Sequence, residues 1–175
     1  MIKKLILSAI LIATLGVANA QSNYSQAIGL RVSPLSDYDV AAFSFKTFIS
    51  KAGAIELNVG AGTNRVPGWG AYLNKMSSTS LSLTGAYQHY FPIPVEGLRW
   101  YAGGGLSLIN TFSKTKELRG VSVGVFPTGG VDYKFENIPL NVSADYRPTV
   151  VLAKPEHGWR NFLGEQFGIS ARYTF

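Results

Sequence analysis

Six charged residues recur on one face of predicted β-strands, and they are the side chains best placed to act together. Each lies about three to six residues from the same end of its strand, so the six would share one interior. They are three cations and three carboxylates: Arg31, Lys46, Glu56, Asp132, Asp145 and Arg172. Because unpaired charges are costly in a narrow interior, we expect a charge-balanced network that plugs the lower part of that interior. The alternative is a set of separate charges, each solvated by interior water.

Two histidines are the candidates for acid–base chemistry. A hydrolytic triad would need a serine, a histidine and a carboxylate close together. His89 lies in the sequence Gln-His-Tyr, and His157 lies in Pro-Glu-His-Gly-Trp with no serine within four residues on either side. A His-x-Ser pair is absent from both positions. The sequence therefore predicts no catalytic residue and favours a protein that is not an enzyme.

Metal and phosphate sites are not predicted either, and no cofactor is expected. The two histidines fall at opposite ends of the predicted strands, so they cannot share an ion, and no carboxylate cluster has ligand spacing. Asp37 and Asp39 are interpreted as turn residues. The glycine run 103–105 lies inside a predicted strand, where it indicates tight curvature rather than a phosphate-binding loop.

Eight segments with alternating apolar and polar residues must position these side chains. Glycine, proline, asparagine and aspartate clusters bound them. The predicted strands are about 26–34, 40–50, 54–63, 79–91, 98–110, 120–136, 139–152 and 165–175. Since Pro148 cannot donate to a strand ladder, we expect a bulge or the upper rim there. The pattern predicts an all-β, eight-stranded, antiparallel up-and-down barrel.

The two faces of these strands differ in polarity. One face collects charged and amide side chains: Arg31, Ser44, Lys46, Glu56, Asn58, Ser82, Thr84, Gln88, Asp132, Asp145, Arg147 and Arg172. The other is apolar: Leu30, Phe43, Phe45, Leu57, Val59, Leu81, Leu83, Leu106 and Leu108. A soluble barrel or sandwich also alternates, but its core could not bury so many charges. The polar face therefore favours a transmembrane barrel with its polar side inward.

The connections and the aromatic residues predict an orientation. Linkers of about 15, 9 and 12 residues follow the third, fifth and seventh strands, whereas the other turns are shorter, as in bacterial outer-membrane barrels with short periplasmic turns and longer extracellular loops. Aromatic residues gather at the ends with short turns, as an interfacial girdle requires. The predicted girdle residues are Tyr87, Phe91, Trp100, Tyr133, Phe135, Tyr173 and Phe175.

The amino terminus has the pattern of a cleaved export signal. Lys3 and Lys4 precede an apolar run over residues 5–17, which ends at the small-residue site Ala18-Asn19-Ala20. This run is shorter than the ~20 residues that span a bilayer as a helix. We therefore predict a signal peptide over residues 1–20 and one barrel domain over residues 21–175. Cleavage lowers the net charge from +6 to +4, and the absence of cysteine argues against a disulfide-stapled secreted domain.

The last strand carries the most specific resemblance. Its apolar face ends on an aromatic carboxy-terminal residue: Phe167, Ile169, Ala171, Tyr173 and Phe175. This pattern resembles the signal that the outer-membrane assembly machinery reads. With the export signal, the strand count and the loop asymmetry, the whole mature chain resembles the small OmpA/OmpX-type outer-membrane barrels. The resemblance implies a bacterial outer-membrane location and passage past periplasmic chaperones.

The sequence says less about the function of the protein than about its location. We expect an integral, porin-like barrel with a structural or surface-interaction role, because an eight-stranded interior is barely wide enough for its own side chains. A narrow channel for small or hydrophobic solutes is the alternative, and a lipid-modifying enzyme is a weaker one. Basic and aromatic residues in the long loops could contact outer-membrane lipids and lipopolysaccharide, or could be ordinary solvated loop residues. No basic helix indicates nucleic acid, and an extracellular partner is not predicted.

Overall fold

Residues 24–65, 77–113, 119–154 and 160–175 are described by the computed structural model, and they form β-strands without a helix. The strands are β1 (Gln26–Val32), β2 (Ala41–Phe48), β3 (Gly53–Arg65), β4 (Ser77–Pro92), β5 (Leu98–Phe112), β6 (Gly120–Lys134), β7 (Leu140–Tyr146), β8 (Thr149–Ala153), β9 (Phe162–Leu163) and β10 (Phe167–Thr174). Within these ranges no helix is long and apolar enough to cross a membrane.

The sheet closes on itself through antiparallel pairs. Strands β1 to β6 pair in chain order, β7 pairs with both β6 and β10, and β10 returns to pair with β1. At the closing seam, Leu30 lies opposite Ala171. Strand β8 continues the path of β7 beside β6, and β9 pairs with β8. The predicted fold class is therefore confirmed: the chain is a closed eight-stranded antiparallel barrel. We call the end that holds both described termini the lower end.

The seventh predicted strand is interrupted where Pro148 removes a hydrogen-bond donor. The break at residues 147–148 separates β7 from β8, and the ladder between β6 and β8 shifts register at Val123 and Gly124. The backbone N–H of Arg147 donates to the Gln166 carbonyl at 2.9 Å, so the chain stays attached across the break. The expected bulge does not lie at Pro148 itself, because Tyr146 pairs with Gly129 and Val150 with Val125 in one continuous register, and the shift falls further on, between Val151 and Ala153.

Alternation sorts the side chains as the sequence predicts. Most of the outward apolar residues are about half to two-thirds exposed, for example Leu30 at 62% and Leu106 at 60%, whereas Phe45 is partly buried. All twelve residues assigned to the inner face are buried, with exposures of 5% or less. This is the inverse of a soluble protein, and it leaves a belt of apolar side chains around a polar lumen.

Exposed aromatic rings gather at the lower end of this belt. The rings of Phe91 and Trp100 stack with centroids 4.1 Å apart, and Tyr133 meets Phe135 edge to face at 4.8 Å. Tyr173 lies beside Phe175, and both are more than half exposed. The arrangement is that of an interfacial girdle, which these amphipathic rings favour.

Two predictions fall outside the described residues. The signal peptide over residues 1–20 is one of them. The other is the middle of each long upper linker, at residues 66–76, 114–118 and 155–159. His157 belongs to the last of these segments.

Candidate functional site

The structure brings the six predicted charged residues into two groups of buried ion pairs. Arg31 contacts Asp145 at 2.6 Å, with both Nε and Nη2 donating to the carboxylate. Lys46 Nζ lies 3.1 Å from Asp132 and 3.6 Å from Glu56. Arg172 Nη2 lies 3.1 Å from Glu56. All six side chains are buried, so these contacts lie in the lumen and are little screened by bulk water.

Three further residues join the set and make it continuous. Arg147 contacts Glu56 at 2.6 Å and Asp145 at 2.9 Å, which links the two ends of the predicted group. Arg99 Nη2 lies 3.0 Å from Asp132, and Arg31 Nη1 lies 2.9 Å from Asp39. We call these nine residues the ionic network: Arg31, Asp39, Lys46, Glu56, Arg99, Asp132, Asp145, Arg147 and Arg172.

Sequence reasoning missed these three as network members for different reasons. Arg147 is predicted on the inner face but not in the charged group, and its Nη2 reaches Glu56 at 2.6 Å across the lumen. Arg99 lies at the inward parity of β5, opposite Asp132, and that register was the available signal. Asp39 was interpreted as a turn residue, yet its loop folds into the lumen. Only tertiary structure could show that.

Glu56 is the centre of the network. Its carboxylate lies within ion-pair distance of three cations, Arg147, Arg172 and Lys46. It also accepts hydrogen bonds from Gln88 Nε2 at 2.8 Å and Asn58 Nδ2 at 3.1 Å. A buried carboxylate is tolerated when its oxygens are filled by donors in this way.

Cations outnumber carboxylates by five to four in the ionic network, and neutral oxygens accept several of the remaining donors, although Arg99 Nη1 and Arg147 Nη1 have no hydrogen-bond partner among the described residues. Arg172 donates to the hydroxyls of Ser44, Ser143 and Ser170 at 2.8 to 3.0 Å. Lys46 donates to the Tyr90 hydroxyl at 2.7 Å. The lumen is therefore filled at this level by mutually bonded side chains.

Aromatic rings form a floor below the ionic network. The rings of Tyr24, Phe48, Tyr90 and Tyr101 follow one another with centroid separations of 5.0 to 5.2 Å. The Arg99 guanidinium lies 4.7 Å from the Tyr90 centroid and 5.0 Å from that of Phe48. Such cation–π contacts let the arginine bridge the floor and the ionic network.

Inward glycines make room for rings in the lumen. A Cβ placed on Gly130 would lie 2.8 Å from the Tyr101 ring, and one on Gly105 would lie 2.7 Å from Phe126. The glycine run was expected to permit tight curvature. The structure adds a second reason, because a side chain at Gly105 would compete with Phe126 for the lumen.

The upper half of the lumen is lined differently. Tyr38, Ile109, Val151 and Leu163 form an apolar cluster near the mouth. Around it, strands β4 to β6 present buried hydroxyls that have no hydrogen-bond partner within the described part of the chain: Ser80, Ser82, Ser107 and Ser122. Ion pairs therefore occupy the lower half of the lumen, whereas hydroxyl and apolar side chains line most of the upper half.

The candidate catalytic and metal residues do not gather. His89 is exposed on the lower outer surface, where its Nδ1 lies 3.4 Å from the Tyr87 hydroxyl. His157 lies outside the described residues. Among the residues that the structure describes, no group of three histidines or carboxylates could hold a metal ion.

Four of the predicted assembly-signal residues, Phe167, Ile169, Ala171 and Tyr173, lie on the outer face of β10, and the fifth, Phe175, follows the end of that strand and is also exposed. The Phe175 carbonyl accepts from the backbone N–H of Gln26 at 3.0 Å, and Phe175 N–H donates to the Gln26 carbonyl at 2.9 Å. This segment is therefore both the apolar outer surface and the closing edge of the barrel.

Comparison with known proteins supports the architecture. No protein-family model and no curated protein matches the chain. Among solved structures, it is similar to outer membrane protein H (OprH) from P. aeruginosa, determined in solution in DHPC micelles. The match has 15% sequence identity and a TM-score of 0.56, and it covers 86% of this chain and 99% of that chain. At this identity the likeness shows the fold, and it confirms the predicted resemblance to small outer-membrane barrels at that level.

Proposed function

We propose that this protein is a non-enzymatic integral outer-membrane barrel with a structural or surface-interaction role and a lumen plugged by its own side chains. The continuous ionic network carries the proposal. It crosses the lumen from Asp39 through Arg31, Asp145, Arg147 and Glu56, and then through Lys46 and Asp132 to Arg99. A solute passing through would have to separate buried ion pairs, which is energetically expensive.

The exterior supports the membrane part of this proposal. A belt of exposed aliphatic residues surrounds the barrel, and rings at its lower end are placed for a headgroup boundary. The fold is shared with a protein solved in micelles, and residues 1–20 have the pattern of an export signal. We accordingly propose outer-membrane lipids and lipopolysaccharide as surroundings. Periplasmic chaperones and the outer-membrane assembly machinery would act on the chain before insertion.

Surface interaction would fall to the upper loops. Arg160 and Asp37 form an ion pair at 3.0 Å that joins the loop before β9 to the loop after β1. Arg160 remains largely exposed in this pair, so it adds little stability but holds two loops together at the rim. Such a rim would present the basic and aromatic loop residues to lipopolysaccharide or to another surface molecule.

The test of the plug is conductance in planar lipid bilayers. Protein whose folded state is verified by heat-modifiable gel migration should insert without steady single-channel steps. Steady steps that are abolished by Glu56→Gln or Arg172→Gln would favour the narrow-channel alternative instead. Identical migration before and after boiling would contradict the membrane barrel itself.

A narrow channel is the second candidate, and one observation favours it. The unpartnered hydroxyls of the upper lumen need water, so that half of the interior is suited to hydration. Hydration of one half does not make a path, because the ionic network and the aromatic floor lie below it. A lipid-modifying enzyme is the weakest candidate, since His89 faces outward beside a tyrosine rather than a serine.

A further inference from the structure

The segment between β1 and β2 folds into the upper mouth of the barrel. Along residues 33–40, the side chains of Ser33, Ser36, Tyr38 and Asp39 are buried at 4% exposure or less. Leu35, in the same segment, is 59% exposed and faces away. A short connection would ordinarily lie on the rim. This one instead places an aromatic ring and a carboxylate inside the lumen.

Contacts on three sides hold the segment inward. Tyr38 packs in the apolar cluster of the mouth, and its hydroxyl lies 3.1 Å from Thr149 Oγ1. Arg31 Nη1 donates to Asp39 at 2.9 Å. Ser36 Oγ accepts from the backbone N–H of Asp39 at 3.0 Å, which fixes the turn itself. These contacts therefore stabilise the inward position of residues 33–40.

Strand β3 leaves space for this segment by having glycine at two inward positions. A Cβ on Gly62 would lie 2.8 Å from both the Tyr38 Cα and the Asp39 backbone nitrogen. A Cβ on Gly60 would lie against the Asp39 carboxylate and 3.0 Å from Ser82 Oγ. Any larger residue at 62 would push the segment out of the mouth.

Buried hydroxyls lie at the level of the segment and below it, since Ser80 pairs with Gly62 and Ser82 with Gly60. Ser80, Ser82, Ser107 and Ser122 are each 4% exposed or less, and none has a hydrogen-bond partner within the described residues. A buried hydroxyl without a partner is costly, and proteins usually supply enclosed water at such points. The Asp39 carboxylate lies close to these hydroxyls, since a Cβ on Gly60 would lie against it and 3.0 Å from Ser82 Oγ, so this part of the lumen suits water and small polar solutes that donate and accept hydrogen bonds.

We infer that residues 33–40 form a lid that closes the upper mouth over the hydroxyl-lined upper lumen, which we call the chamber. Opening the lid admits water and small polar solutes to the chamber and separates Asp39 from Arg31, while the ion pairs among the other eight residues of the ionic network stay closed. The lid acts on the lumen alone, so it depends on neither the membrane nor a surface partner.

Acid should favour the closed lid. Burial raises the pKa of the Asp39 carboxyl, and Arg31 and Arg147 oppose that rise. The carboxylates of Asp145 and Glu56 also face this group and raise its pKa further. An open lid would return Asp39 to water and to its ordinary pKa. The closed form therefore binds a proton more tightly, and opening becomes easier as pH rises through the raised value.

Cysteine accessibility tests the lid directly, because the chain contains no cysteine of its own. Ser122→Cys places a nearly isosteric thiol in the chamber. Its labelling by a water-soluble methanethiosulfonate reagent is followed by mass in folded protein in micelles. Asn161→Cys, on the exposed upper rim, is the open reference. Ala86→Cys, buried at the level of Glu56, is the closed reference.

Two lid variants should raise the labelling rate of Ser122→Cys. Tyr38→Ala removes the ring from the apolar cluster, and Gly62→Ala pushes the segment outward. Each should accelerate labelling about tenfold or more by shifting a local opening equilibrium. Leu35→Ala, in the same segment but facing solvent, should leave the rate unchanged. Ala86→Cys should stay unlabelled in every background, which separates lid opening from unfolding of the barrel.

Either of two results would overturn the lid. One is equal labelling of Ser122→Cys with and without Tyr38→Ala and Gly62→Ala, in protein that still shows folded gel migration. The other is labelling of Ser122→Cys as fast as Asn161→Cys in the parent. Neither result touches the proposed function, which fails instead if folded protein conducts steadily or if the chain does not form a barrel in micelles.

Discussion

The lower and upper halves of the lumen are closed by different physical means. In the lower half, charged side chains on most strands form ion pairs with one another, with Glu56 at the centre and rings below. In the upper half, a folded segment and four apolar residues cover hydroxyls that have no partner among the described residues. The first closure is made by groups fixed on strands, and the second by a loop.

The lower closure therefore governs the stability of the barrel, and the upper closure governs access to the lumen. Removing one member of the ionic network leaves opposite charges buried, so the penalty reaches the whole barrel. Displacing the loop breaks a few contacts and leaves every strand pair intact, so opening can be local. The two halves should therefore respond differently to substitution.

The largest effect is expected for Glu56→Gln. The substitution keeps the shape but leaves Lys46, Arg147 and Arg172 without their shared carboxylate. Loss of one partner from a buried charged group costs about 3–5 kcal/mol of unfolding free energy. Denaturant unfolding in lipid bilayers, followed by tryptophan fluorescence, measures the loss. A change below about 1 kcal/mol would mean that lumen water already screens these charges.

Two glycine-to-alanine substitutions on β6 should differ in unfolding free energy, because one adds a methyl group inside the lumen and the other adds it outside. Gly130→Ala points its methyl group at Tyr101 and at the Ala144 carbonyl, and overpacking of this kind costs about 1–3 kcal/mol. Gly129→Ala points outward, with its nearest atom 3.8 Å away, and should be neutral or slightly stabilising. Equal unfolding free energies for the two variants would show that the lower lumen is not tightly packed.

Matched serine substitutions compare the halves most directly. Ser44→Ala removes an acceptor that lies 2.9 Å from Arg172 Nε, and it should cost about 1–3 kcal/mol. Ser80→Ala removes a buried hydroxyl without a protein partner in the described chain, and it should change unfolding free energy by less than about 0.5 kcal/mol. A larger loss at Ser80 than at Ser44 would reverse the proposed division of the lumen.

The smallest effect is a pH dependence carried by Asp39→Asn. Because burial raises the pKa of Asp39 above its ordinary value of 3.8, the folded protein binds this proton more tightly than the unfolded chain does. The stability linked to it is complete below the ordinary pKa and is lost as pH rises through the raised one. Unfolding free energies from about pH 3 to 7 should show the variant gaining on the parent as pH rises. A difference in unfolding free energy that does not change with pH would mean that the Asp39 carboxyl is exposed to water in the folded protein.

The fold could be predicted because a barrel repeats one simple pattern. The period of two along each strand separates the faces, and Pro148 marks the break between β7 and β8. The predicted strand ends differ from the observed ones by a few residues, since fraying and pairing at the rims are decided by the neighbouring strand. The short β9 exists only because β8 lies beside it.

The sequence predicts which residues face the lumen, but it does not predict which of them contact one another. Parity places Glu56 and Arg172 inside, but their contact depends on barrel stagger and on side-chain reach. Asp39 was assigned to a turn because its neighbours are turn formers, and nothing local says that the turn folds inward. Gly60 and Gly62 of β3 indicate a close contact, but the sequence alone does not show that residues 33–40 make it.

The seam between β1 and β10 has a consequence for how the molecule is made. Ser25 Oγ donates to the Phe175 carbonyl across a separation of 150 residues, and Ala27 lies opposite Thr174. Every other pair of neighbouring strands in the eight-stranded barrel joins segments that follow each other in the chain, so these hairpins can form early and locally. The seam has the highest contact order in the barrel and can form only when its first and last strands meet. Until then both edges expose unpaired backbone groups, so the closing step is the one most exposed to aggregation.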